Sequence, residues 1–290
     1  MRDEEPDFGA FQSLRYDLSE NFVTITLDRP KTLNAFNAAL LSEFNAALDA
    51  ADADDRVKAV IVTGAGRAFS SGADLSAGPT SFEPSGDTHG LLTREAREQH
   101  ARTITRSYFS LKPIICAVNG PAMGIGCTLT LPMDIRIAST TARFGFVFTR
   151  RGIVPEAGSG WLLPRLVGIP TALEWCLEGR TVSAEEAFQR GLVRSLHAPE
   201  DLLAAAQALA REIAEASPVS VALTRQMLWR GLMTPDPLVA IEIENRAMRS
   251  RGKSDDVREG IAAYLERRKP AFPDTVSRNL PDVFANDGVG

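Results

Sequence analysis

Residues able to carry acid–base or nucleophilic chemistry are sparse in this chain. There are three histidines, His89, His100 and His197, and no two stand at metal-ligand spacing, which argues against a zinc site or a histidine-based triad. Gly158-Ser159-Gly160 lacks the spacing of a nucleophile elbow. Gly64-Ala65-Gly66 runs on into Arg67-Ala68-Phe69 where a dinucleotide fingerprint needs another glycine, and no glycine loop is followed by a Walker lysine. The cysteines, Cys116, Cys127 and Cys176, are odd in number, sit in apolar contexts and form no Cys-x-x-Cys pair, so they read as small buried hydrophobes in a reducing compartment. What remains are glycine-bearing turns that end strands or open helices. Their exposed backbone N–H groups can hold an anion or a developing oxyanion.

The elements that position these turns follow from apolar periodicity. Leu14 to Ser19 and Phe22 to Leu27 read as two strands joined at Glu20-Asn21. Residues 37 to 51 carry Leu40, Leu41, Phe44 and Leu48 on one helical stripe behind Asn37 as an N-cap. Val57 to Thr63 is a β-branched run ending at Gly64. Ser76 to His89, rich in Gly, Pro, Ser and Thr, reads as a mobile loop before a helix of Leu91 to Leu111 and a strand at Ile114 to Val118. A short helix from Gly124 to Leu131, strands at Ile135 to Ala138 and Ala142 to Phe144, and a helix from Ser159 complete an α/β portion. Beyond residue 170 strand signals nearly vanish and helices follow one another, several behind Ser or Pro. The expected divisions are a tail over 1–13, an α/β core over 14–200, a helical region over 201–275 and a second tail over 276–290.

The length of 290 residues, with 44% hydrophobic and 24% charged residues, excludes global disorder and allows a sizeable core without disulfides or structural metal. Thirty-two basic against 37 acidic residues give a net charge of -5, which provides no general attraction for nucleic acid or an anionic membrane. The acidic start, Met1 to Asp7, reads as neither signal nor transit peptide, so a cytoplasmic location is expected. Pro113 to Met133 runs 21 residues without a charge. It also contains Pro113, Gly120, Pro121, Gly124, Gly126 and Pro132, and therefore reads as a buried strand, turn and helix rather than a membrane span.

Two glycine-bearing segments, Gly66 to Leu75 (GRAFSSGADL) and Ala117 to Cys127 (AVNGPAMGIGC), resemble the two oxyanion-hole segments of the enoyl-CoA hydratase/isomerase (crotonase) superfamily. The similarity extends over Leu27 to Ala35, Asp134 to Ala138, Val154 to Gly158, Gly179 to Gly191 and Glu259 to Phe272. It implies an α/β, crotonase-like spiral of β-β-α units with a helical C-terminal region that forms a homotrimer or a dimer of trimers. It also implies an acyl-CoA thioester as substrate, with coenzyme A entering as part of that substrate and no separate cofactor or metal. By the same resemblance the N–H groups of Ala73 and Ile125 would hold the thioester oxygen as it becomes an enolate. Arg29, Lys31, Leu33, Ala68, Ser71, Asp74 and Leu75 would line the nucleotide and pantetheine. Tyr264 and Arg267 would close the site, in part from another subunit.

The sequence departs from the two-glutamate hydratases of the superfamily, because Thr128 and Phe148 stand where those enzymes carry carboxylates. A threonine can orient a water or a substrate group, and a phenylalanine makes an apolar wall, but neither exchanges a proton near neutrality. Glu156 lies nearby, just before the helix containing Trp161, a residue expected in core or pocket wall. The position of Glu156 is acidic in one branch of delta-3, delta-2-enoyl-CoA isomerases, where that residue is the sole proton carrier. Moving a double bond needs one base that takes a proton from C2 and returns it to C4 with the enolate held between. The plainer reading of Glu156 is a helix-start charge, worth ~0.3–1 kcal/mol through the dipole. The expected activity is therefore enoyl-CoA isomerisation in fatty or aromatic-ring acyl-CoA breakdown. Hydration of a 2-enoyl-CoA, or acyl-CoA binding without turnover, stand as alternatives. Asp134 is expected to be structural.

Overall fold

A computed structural model of the chain describes residues 11–82 and 94–284. Residues 1–10 of the expected N-terminal tail, 83–89 of the expected loop, 91–93 of the expected helix start, and 285–290 lie outside the described residues.

A six-stranded sheet carries the molecule, built from β1 (Leu14–Ser19), β2 (Phe22–Leu27), β3 (Ala59–Gly64), β4 (Ile114–Val118), β6 (Ile135–Ser139) and β9 (Ser195–His197), in that spatial order. β1 and β2 form the antiparallel hairpin, Leu14 opposite Leu27 and Ser19 opposite Phe22; the remaining pairs are parallel. A smaller sheet holds β5 (Pro121–Met123), β7 (Arg143–Gly145) and β8 (Thr181–Ser183). β5, β8 and β9 have three residues each, too few to show the alternation by which a strand is recognised in sequence.

The central strands β3 and β4 are buried throughout because both faces of the sheet are covered. Val60 and Val62 of β3 and Ile114, Cys116 and Val118 of β4 point into the main core with α1 (Ala38–Ala53). Ala59, Ile61, Ile115 and Ala117 point to the other face, where α7 (Leu202–Ala214) lays down Leu202, Ala206 and Ala210 at fourfold spacing. α7 thus belongs to the sheet, and the helices that stand off it begin at α8 (Pro218–Gly231), one helix later than the sequence division at 200. Residues 276–284, expected as a tail, also pack: Val276 is buried, and Val283 shares a third core with Val219 and Leu223 of α8 and Ile243 of α9 (Pro237–Arg251).

Helix starts follow the caps in the sequence. Asn37 accepts from Leu40 N–H, Ser183 from Glu186 N–H ahead of α6 (Ala184–Gln189), Ser217 from Ser220 N–H, and Ser254 from Val257 N–H ahead of α10 (Asp255–Glu266). The helix from Ser159 divides into α4 (Ser159–Val167) and α5 (Ile169–Glu178) at Gly168, whose φ of 78° no continuing helix permits. The uncharged stretch 113–133 forms β4, β5 and the four-residue α3 (Ile125–Thr128), and among the described residues no helix is long and apolar enough to cross a membrane.

Candidate active site

Two turns at the ends of β3 and β4 lie side by side. Ser70 N–H donates to Pro121 O at 3.0 Å and Met123 N–H to Ser70 O at 2.9 Å, a parallel bridge between Ser70 and Ala122. Ala73 and Ile125 each stand three residues beyond this bridge. Among the described residues no acceptor meets Ala73 N–H or Ile125 N–H, the latter being the first residue of α3. Two glycines allow the approach. A Cβ on Gly72, whose φ is +101°, would stand 2.7 Å from Met123 O, and one on Gly126 would stand 2.6 Å from Ser70 Cβ. Buried Asn34 fixes the first turn from below: its amide nitrogen lies 2.9 Å from Ala65 O and from Ala68 O. Asn119 ties the second turn to it, accepting from Gly64 N–H at 3.1 Å and donating to Gly66 O at 3.0 Å.

The turns border a cavity of about 430 Å³, walled mostly by apolar groups that include Leu75, Phe82, Met123, Val147, Phe148 and Ile153. Glu156 is the single carboxylate among the described residues lining it. It projects from the loop between β7 and α4 and is followed by two left-handed residues, Ala157 (φ 54°) and Gly158 (φ 69°). Ala157 bears a strain that a non-glycine residue rarely adopts without reason. The Glu156 carboxylate is held on both sides. Oε1 accepts from Thr128 Oγ1 at 2.6 Å, and Oε2 lies 2.9 Å from His100 Nε2, close enough for an ion pair but not aligned as a hydrogen bond.

His100 also lines the cavity, from α2 (Arg94–Tyr108). Sequence reasoning passed over it by testing only histidine-to-histidine spacing. The available signal was its helical face: Thr103 and Ser107, three and seven residues on, are fully buried, and Ile104 packs 3.7 Å from the Cβ position of Gly158. α2 itself is pinned to α1. Arg106 donates to Asp49 at 2.5 Å and Asp52 at 2.7 Å, Arg102 to Asp49 at 2.6 Å, and Asn45 to the Gln99 side chain at 2.9 Å. At its other end the buried Arg225 guanidinium of α8 donates to the carbonyls of Ser107, Tyr108 and Ser110 and to Asp134 at 2.8 Å, capping α2 with a cation. Asp134 additionally accepts from Ile114 N–H and Trp229 Nε1, a wholly structural set of partners.

The other residues singled out in sequence divide by place. Ala73, Ile125, Ser71, Leu75, Phe148 and Glu156 line the cavity. Thr128 does not line the cavity: it is fully buried, and its hydroxyl, expected to orient a water or a substrate group, is given to Glu156 instead. Arg29, Lys31, Leu33, Ala68 and Asp74 are not among the residues lining the cavity: Arg29 pairs with Asp74 at 3.1 Å, Lys31 is exposed, Leu33 takes a left-handed conformation, and Ala68 is buried. Burial pushes the Asp74 carboxyl up, but hydrogen bonds from Ser76 and Arg29 outweigh it and hold it below the usual range. Trp161 does not line the cavity; it packs edge-on to Tyr108, with Arg165 stacked 4.0 Å from its ring. Tyr264, 82% exposed, and Arg267, just past the end of α10, are not part of the cavity wall within one chain. The cysteines serve as packing: burial pushes the Cys116 thiol up to about 12 and Cys127 higher still, which leaves both unreactive.

Two backbone donors and one carboxylate lining the same apolar cavity are the parts of an enzyme that stabilises an oxyanion while moving a proton. A family model described as enoyl-CoA hydratase/isomerase matches residues 17–275. The chain belongs to the enoyl-CoA hydratase/isomerase family. It is an enzyme of that family with the crotonase fold. It is 40% identical to the enoyl-CoA hydratase AFT3-1 of Alternaria alternata over 272 residues, covering 92% of this chain and 89% of that one. It is 35% identical to the 1,2-epoxyphenylacetyl-CoA isomerase of Escherichia coli, covering 88% and 96%. The crystal structure of an enoyl-CoA hydratase from Bacillus anthracis superposes with a TM-score of 0.81 at 32% identity, covering 90% of this chain and 99% of that one. Within this family, the relatives' names thus include both hydratases and an isomerase.

Proposed function

We propose that this enzyme isomerises an enoyl-CoA thioester, moving a double bond from C3 to C2, with Glu156 as proton carrier. The observation that carries the reading is that Glu156 is the one carboxylate on the cavity wall among the described residues, and that it shares this wall with Ala73 and Ile125. The carboxylate takes a proton from C2 and the C2–H electron pair moves onto the thioester oxygen. That enolate oxygen accepts from Ala73 N–H and Ile125 N–H, each worth roughly 3 kcal/mol in the transition state. Return of a proton at C4 regenerates the carbonyl and leaves the double bond conjugated. Phe148 and the other apolar groups keep water from the enolate. Arg29, Lys31, Leu33, Ala68, Ser71, Asp74 and Leu75 are read as the ledge for the CoA portion. The reaction as written uses no metal or redox cofactor, and neither nucleic acid nor membrane enters it.

A trimer or dimer of trimers is part of this reading. Exposed Leu238, Ile241, Ile261, Tyr264 and Leu265 on α9 and α10 form apolar surface suited to a second copy, which would bring Tyr264 and Arg267 to a neighbouring cavity. A cytoplasmic location fits the thiols. Hydration is the second reading, favoured by His100 beside Glu156, since two proton-exchanging groups could together position and deprotonate water.

Parallel assays of the protein and Glu156→Gln on 3-enoyl-CoA and 2-enoyl-CoA, following conjugation and water addition separately, test both. Isomerisation that falls by ~10²–10⁴-fold in the variant is the expected result. Water addition as the dominant, Glu156-dependent reaction would replace the first reading with the second. Thioester binding with neither reaction would indicate a binding protein.

A further inference from the structure

The Glu156 Oε2 and His100 Nε2 atoms are shielded from solvent, 2.9 Å apart, and no aligned hydrogen bond satisfies either. Buried polar atoms left in this condition are rare and costly, and they concentrate where a group must change partners during function. Here the carboxylate is prevented from turning away by Thr128 at its other oxygen. The imidazole is prevented from withdrawing by a helix tied to α1 through Arg102, Arg106 and Gln99. Both side chains nevertheless reach the cavity surface, the imidazole 19% and the carboxylate 29% exposed.

We propose that His100 is a second catalytic residue, which delivers to C4 a proton other than the one Glu156 removes from C2. This rests on the isomerase reading above. In the ion-paired form the carboxylate is free to accept and the imidazolium to donate. Glu156 takes the C2 proton and becomes a carboxylic acid as the C2–H pair moves onto the thioester oxygen. The His100 imidazolium gives its Nε2 proton to C4, forming the C4–H bond as the enolate collapses, and becomes neutral. The Glu156 Oε2 proton then crosses to Nε2, restoring the starting pair. Protons and charge balance, and no outside reagent is consumed. A lone carboxylate would have to move between C2 and C4 with the proton it had just taken, whereas two adjoining carriers each serve one carbon.

The test follows the label. A 3-enoyl-CoA deuterated at C2 is turned over in ordinary water by the full-length protein, His100→Gln and Glu156→Gln, and the deuterium content of the product at C4 is read by mass spectrometry or NMR. The protein is expected to place solvent hydrogen at C4, because the imidazole, part of which is exposed to the cavity, exchanges its proton with water that enters once product has left. His100→Gln is expected to be slower by ~10²-fold, the contribution of one acid–base group, with KM little changed and with deuterium now carried from C2 to C4. Deuterium carried to C4 equally by the protein and by His100→Gln, or by neither, would overturn the proposal, whatever the rates. Should His100→Gln fold poorly, extensive C2-to-C4 transfer by the unsubstituted protein is by itself sufficient to overturn it. Failure of the parent reading is distinct: isomerisation that survives Glu156→Gln, or is absent from the unsubstituted protein, removes the base itself and the inference with it.

Discussion

The two sides of the cavity are built on different principles. The side holding Ala73 and Ile125 is main chain, placed by a strand-like bridge between two turns and by glycines that leave no room for a Cβ. The side holding Glu156 and His100 is side chain, aimed by partners on α1, α3 and α8 that lie far apart in sequence. The first can be disturbed only by moving backbone. The second can be changed atom by atom, with the fold left intact.

After Glu156→Gln, the largest effect on turnover is expected at the main-chain side. Gly72→Ala would force a Cβ to 2.7 Å from Met123 O at a φ of +101°. Displacing one oxyanion donor costs about 10²–10³-fold in kcat, read by steady-state kinetics; unchanged turnover would mean that this wall is softer than its packing implies. Arg225→Met tests how the opposite side is held. Breaking its buried pair with Asp134 and releasing the carbonyls of Ser107 and Tyr108 in α2 and of Ser110 just beyond it should cost about 3–5 kcal/mol of stability in denaturant unfolding. Activity loss should track the unfolded fraction if α2 keeps its place in the folded molecules. A smaller change is expected for Thr128→Val, which removes the 2.6 Å hydrogen bond to Glu156 at nearly constant volume. A hydrogen bond to a charged group contributes about 1.5–3 kcal/mol to stability, so a loss of that order in denaturant unfolding, with a lowered kcat as the carboxylate loses its fixed orientation, is the expected result.

The smallest effect lies away from both walls. The Arg180 guanidinium, with Trp175 Nε1 assisting, holds the Glu186 carboxyl down at about 2 from an ordinary value of 4.5. A carboxylate with a depressed folded-state pKa stabilises fully above its unfolded value, and the contribution is lost as pH falls through the folded one. Glu186→Gln should therefore flatten the acid loss of stability between about 4.5 and about 2 while leaving neutral-pH turnover unchanged. A change in turnover would tie this surface cluster to the cavity, against the division drawn above.

The same division explains what could be read in the sequence. The main-chain side was legible in part because glycines and strand ends are local signals: the hairpin at 14–27, the strand at 114–118 and the glycine-bearing turns after β3 and β4 are found where their residues indicate, while Ala73 and Ile125 within those turns were singled out by the family resemblance. Helix starts at Asn37, Ser183, Ser217 and Ser254 were legible for the same reason. The side-chain wall was legible only at Glu156. His100 reaches it from 56 residues earlier in the chain, and the assignment of the Thr128 hydroxyl to that carboxylate depends on a 28-residue separation. The short strands β5, β8 and β9 and the attachment of α7 to the sheet are likewise settled by packing that no local pattern encodes.

Arg225 gives the molecule its thermodynamic unity. Its guanidinium joins a C-terminal helix to the last carbonyls of α2 and to the carboxylate that receives Ile114 N–H at the start of β4. Opening the helices beyond the sheet would expose those groups together, so the helical third has no inexpensive way to melt alone. Residues 14–200 by themselves would retain Asp134 and the α2 carbonyls with their cation removed. The chain should accordingly unfold in one cooperative step, and cutting it after the sheet should yield no stable half.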